Sequence, residues 1–136
     1  MKKAIPTRLV SLVFAILFAV VMLSACAKKE RLPEIHTYNP GAAFVSNISN
    51  EDIRKVVKCS VIFEVIDETA RTELSMYNST VRNAVLAVLG EFTLEELTVG
   101  RDLNEISQRI VQHVNEALES SEELVIGAKF TEFALS

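Results

Sequence analysis

Tryptophan is absent and tyrosine occurs only twice, so the chain lacks the aromatic surface on which a sugar-stacking site is built. Four glycines, none grouped into a phosphate-cradling loop, leave no nucleotide motif. Two histidines, His36 and His113, and two cysteines, Cys26 and Cys59, make neither Cys-x-x-Cys nor His-x-x-x-His spacing. No metal site and no disulfide framework is read from them. A basic stripe is missing too: from Cys26 onward 11 Lys and Arg face 18 Asp and Glu, a net charge of −7. That balance disfavours nucleic acid and gives no electrostatic hold on anionic lipid.

What is present begins with the first residues. Lys2, Lys3 and Arg8 surround the start of an apolar run, Leu9 to Leu23, interrupted only by Ser11. A basic end followed by a short apolar stretch is the pattern of a signal peptide. It leads into Leu23-Ser24-Ala25-Cys26, the form of a bacterial lipobox, in which the Cys becomes the lipidated first residue of the mature chain. Two or more acyl chains anchor stably where one does not. The competing reading is an uncut transmembrane helix, since the 19 residues from Leu9 to Ala27 are just long enough to cross the hydrocarbon. Either way the rest of the chain is expected outside the cytoplasm and next to the membrane. Three parts are expected: 1–25 a signal peptide or transmembrane anchor, 26–40 the lipidated Cys26 and a charged tether, and 41–136 a folded extracytoplasmic domain.

Asn39-Pro40-Gly41 is a turn signal, and the domain is expected to start there. Ala42 to Ile48 reads as a first strand. Arg54 to Ile66 is the clearest strand: Val57, Cys59, Val61, Phe63 and Val65 alternate with Lys58, Ser60, Ile62 and Glu64. From Glu68 to Leu89 the residues Ala70, Leu74, Tyr77, Val81, Val85 and Val88 step by three or four, the stripe of a helix, with a weak point at Asn78-Ser79 and a stop at Gly90. Thr93-Leu94-Glu95-Glu96 and Asp102-Leu103-Asn104-Glu105 have capping-box form. The second opens a longer helix along Leu103, Ile106, Ile110, Val114 and Leu118; Ser120 to Glu123 ends it, and Leu124 to Leu135 is a last strand. The fold class is therefore α+β, one small domain, with two strands, a helix, a short helix, a helix and a strand in order.

No convergent catalytic groups stand out. His36 falls in the tether and His113 on the shoulder of the last helix's stripe, where a solvated side chain is the ordinary case. Cys59 lies on the apolar face of its strand, where Cys behaves as a small hydrophobe. Glu95-Glu96 and Glu122-Glu123 sit at helix starts or turns, as dipole partners do. The reading is of a chain that is not an enzyme and takes no cofactor or small-molecule substrate.

Three stretches nevertheless carry a resemblance: Val81-Arg82-Asn83-Ala84-Val85-Leu86-Ala87-Val88-Leu89, Phe92-Thr93-Leu94-Glu95-Glu96-Leu97, and the terminal Phe130-Thr131-Glu132-Phe133. In that order they resemble the flagellar basal-body-associated family known as FliL. The resemblance, over about Tyr38 to Leu135, implies a domain similar to the stomatin/prohibitin core, set beside the flagellar stator (a MotA/MotB-type complex). It also implies homo-oligomerisation into a ring around the stator's plug and linker segment, supporting torque and motility at the basal body. The family's uncut span would be replaced here by the lipobox leader. Gly90-Glu91-Phe92 stands where the family often has a Ser/Lys-containing connector, so Glu91 removes a positive charge there. Interface candidates are Ile62 and Ile66 on the outer face of the second strand, and the neighbourhood of Phe92. The alternative is a structural or interaction surface lipoprotein unrelated to flagella.

Overall fold

The computed structural model describes residues 33–50 and 53–136, together with positions 3, 4, 6, 8 and 10–13. Cys26 and most of the leader and tether lie outside the described residues. The chain divides into two units, Met1–Glu34 and Ile35–Ser136. Of the first, Arg8 and residues 10–13 are helical; the remaining description concerns the second.

β3, Ile53–Val65, is the spine of an antiparallel sheet. Its alternation places Val57, Cys59, Val61, Phe63 and Val65 in the core, all at most 2% exposed. β2, Phe44–Asn50, pairs with the first half of β3, from Phe44 opposite Cys59 to Asn50 opposite Ile53. β1, His36–Tyr38, pairs with the far end, His36 opposite Val65 and Tyr38 opposite Phe63. β4, Val125–Leu135, runs along β3's other side. Since β3 residues 57–59 and 63–65 are paired on both sides, β1 and β2 share one side of β3, end to end, and Asn39–Ala43 bulges between them.

That bulge is held from above. Helix α1 spans Glu68–Met76 and α2 spans Asn78–Glu91. The Arg82 guanidinium on α2 donates to the carbonyls of Pro40 at 3.3 Å, Ala42 at 2.7 Å and Ala43 at 3.5 Å. It also lies 4.4 Å over the Phe44 ring. The Tyr38 hydroxyl donates to Asn78 at 2.6 Å, so α2 pins both flanks of the turn. Gly41 takes φ +96°, a conformation side chains resist.

Helix α3, Leu94–Thr98, and helix α4, Leu103–Leu118, complete one covering layer. α3 starts with a complete capping box between Thr93 and Glu96; at α4 the Asp102 carboxylate accepts from the N–H groups of Asn104 and Glu105. Ile106, Ile110 and Val114 of α4 meet Val81, Val85, Val88 and Leu89 of α2 over the core face of β3. α4 ends at Glu119 in the left-handed region, φ 51°.

β4 carries two register shifts, at Thr131 and at Ile126. The first explains the Phe130-Thr131-Glu132-Phe133 sequence. Residues three apart on a regular strand face opposite ways, but the extra Thr131 turns the chain so that Phe130 opposes Val61 and Phe133 opposes Cys59. Both rings pack on the core and meet edge to face at 5.4 Å.

The α+β class matches the sequence reading, but the antiparallel sheet has four strands where that reading has three, and the element order differs in two respects. A strand, β1, lies within the stretch read as tether. Its three residues pair with β3 and bury Tyr38, a role no local pattern announces. The single helix from Glu68 is two, broken at Tyr77, which is 51% exposed and does not join the buried stripe. Gly90 does not stop α2; the helix runs on to Glu91, and Phe92 turns out of it into the core.

Candidate interaction surfaces

All the described helices of the second unit pack on one face of the sheet, and none covers the other. On that outer face Lys58 meets Glu132 at 3.4 Å, and Lys129 pairs with Glu64. Each pair crosses from β3 to β4 beside its neighbour in register. Ile62 lies between the two pairs, half-buried and opposite Lys129. Ile66, just past β3, is 40% exposed, and Val45 on β2 is 56% exposed. The outer face is thus a solvated ladder with isolated apolar side chains, which needs no partner to account for it.

The two sheet edges differ. At β4 the Asn115 side chain exchanges both hydrogen bonds with Val125, at 2.8 and 2.9 Å, and Ser107 donates to the Ala128 carbonyl at 2.5 Å. With two bulges and Lys129 besides, β4 has the devices that discourage strand pairing. β2 has none of them past Ala43, where Arg82's cover ends. Val56 and Ser136 exchange both backbone bonds, so even-numbered residues of β3 face β4 and odd-numbered ones face β2. In β2, therefore, Phe44, Ser46 and Ile48 bond β3, while the N–H and C=O groups of Val45 and Asn47 point away from the sheet.

Beside that edge runs a groove of about 450 Å³ between β2 and the α2–α3 connector. Asn47, Ile48, Phe92 and Leu94 line it together with the carboxylates Glu91 and Glu95. Ile48 and Phe92 are buried and form its apolar floor. Phe92 is only 7% exposed, with the Arg109 guanidinium 5.0 Å from its ring. Of the region singled out in the sequence, then, Phe92 serves the core and its neighbours supply the surface. Glu91 lies 3.7 Å from His113, and Glu105 holds Arg109 at 2.8 Å. Glu96 is committed to the capping box: hydrogen bonds from the Thr93 backbone and hydroxyl hold its carboxyl below the usual range, with Arg109 adding to the effect.

The remaining reactive candidates are accounted for. His36 sits in β1, 3.7 Å from Glu68. Burial, and then the charge of Glu132, push the Cys59 thiol up to about 11, the opposite of an activated nucleophile. Among the described residues no group of three His, Cys, Asp or Glu could hold a metal ion, and no helix is long and apolar enough to cross a membrane.

The described residues thus define a small α+β domain whose notable features are surfaces: a sheet covered on one face, a guarded edge, and an open edge with a groove. The family profile of the flagellar basal body-associated protein FliL matches residues 37–135, from β1 to the end of β4, and the chain belongs to that family. Its members are structural accessories of the flagellum, not known as enzymes. A search of curated proteins found no match to this chain.

Proposed function

We propose that this protein is a non-enzymatic accessory of the flagellar motor that associates with the stator and supports torque and motility. The observation that carries the reading is the family match, which takes in every strand and helix of the folded domain. An acidic domain with polar, one-sided cover suits work by contact in an aqueous compartment. In this reading the lipobox Cys26 is acylated and holds the domain on the outer side of the cytoplasmic membrane. Copies then assemble into a ring of the stomatin/prohibitin type around the plug and linker segment of the stator. The partners are protein surfaces, with no substrate turned over.

Rotation of single flagella under heavy load, in a strain lacking the gene and in the complemented strain, tests this. Reduced or erratic torque with filaments still assembled is the expected outcome. Unchanged rotation at every load contradicts a motor role.

A further inference from the structure

We propose that the open edge of β2 is a binding site for an extended, basic polypeptide segment, which adds to the sheet as a strand beside β2. This goes beyond a motor role, because it assigns a binding mode and a partner chemistry that hold whatever protein supplies the segment.

Three observations converge on one place. Val45 and Asn47 turn their backbone N–H and C=O groups outward, and no described residue bonds them. Such a row is the template for strand addition. On the other edge the outward groups of Val125 and Ala128 are already taken by Asn115 and Ser107, so the first part of β4 is closed to an added strand. The groove along β2 then has an apolar floor, Ile48 and Phe92, which suits alternate side chains of an added strand. Finally, its wall carries Glu91 and Glu95; Arg109, over the Phe92 ring, is held by Glu105, and His113 stands 3.7 Å from Glu91. Charge complementarity therefore selects a segment with Lys or Arg at the positions that face the wall. Main-chain bonds supply the docking, and the carboxylates select among segments.

The test uses the full chain in detergent with fluorescent ten-residue probes, read by anisotropy. One probe carries Val and Lys by turns at its odd positions, so that both lie on the face toward the groove, with Thr between them; one has Glu in place of those Lys residues; and one is the Val/Lys probe with a central Pro. The Val/Lys probe is expected to bind at least tenfold more tightly than either of the others, and more weakly as salt is raised. Exchanging both wall carboxylates, Glu91→Lys with Glu95→Lys, should cost at least tenfold for the Val/Lys probe. Asn47→Pro removes an outward N–H that bonds nothing in the sheet, and should do the same while leaving the circular dichroism spectrum unchanged. If Asn47→Pro disturbs folding, the exposed Glu91 and Glu95 exchanges still decide the matter. Equal binding of the basic and acidic probes, no binding at all, or full affinity in the double Lys variant overturns the proposal. Dissociation of an oligomer by Asn47→Pro without any probe binding would also overturn it, and would assign the edge to a second copy of the chain.

Discussion

The guanidinium of Arg82 meets three carbonyls of the Asn39–Ala43 bulge and lies over Phe44, so one side chain on α2 satisfies backbone groups that the interrupted β1–β2 edge leaves over. A hydrogen bond to a charged group contributes on the order of 1.5–3 kcal/mol. Arg82→Ala should therefore lower unfolding stability by about 2 kcal/mol in urea titration, and Arg82→Lys should recover only part, because an ammonium cannot spread over three acceptors. Cys59 gives a second expectation. Its thiol stays protonated in the folded chain until pH approaches about 11, against an ordinary value of 9.0. Its contribution to stability is full below pH 9 and is lost as pH rises through about 11. In a Cys26→Ser chain, where Cys59 is the only thiol, alkylation at pH 8 should be slow when native and fast in urea. A further Cys59→Ala exchange should reduce the loss of stability above pH 9.

At the scale of elements, what could be read from the sequence was what a run of neighbours encodes. β3 shows its two faces in bare alternation, and the starts of α3 and α4 show theirs in Thr93-x-x-Glu96 and Asp102-x-x-Glu105. β1 was illegible because His36-Thr37-Tyr38 buries a single residue, and its partner lies about 25 positions on. The α1–α2 break was legible as a weak point at Asn78-Ser79, but Tyr77 had the right spacing for a stripe it does not join. The groove was harder still. Phe92 marked the region, yet Asn47 and Ile48 reach it from β2, more than 40 residues away in sequence. The Thr131 bulge tests the element account directly. Deleting Thr131 moves Phe133 and Leu135 off the core face or Phe130 off it, because one residue reverses every side chain beyond. The deletion should cost more than about 2 kcal/mol, or the fold itself, since losing an aromatic side chain from a core costs about 3–5 kcal/mol. Thr131→Val, which keeps the residue count and forfeits only a 3.4 Å contact to the Ser60 carbonyl, should cost less than about 1 kcal/mol. Equilibrium unfolding followed by circular dichroism separates the two.

As a whole molecule, the domain spends its apolar residues on one layered core and leaves the reverse of its sheet to ion pairs and solvent. That economy fits a protein whose work is done by where it stands and what it touches. The family places it with the flagellar basal body; the proposed step beyond is that it stands with the stator. The most direct measurement is the position of the full chain, carrying a fluorescent protein after Ser136, in living cells with and without their stator proteins. The account predicts foci at the flagellar bases that disperse when the stator proteins are removed and return when they are restored. Foci that persist unchanged without a stator, or a uniform membrane signal in swimming cells, would contradict it.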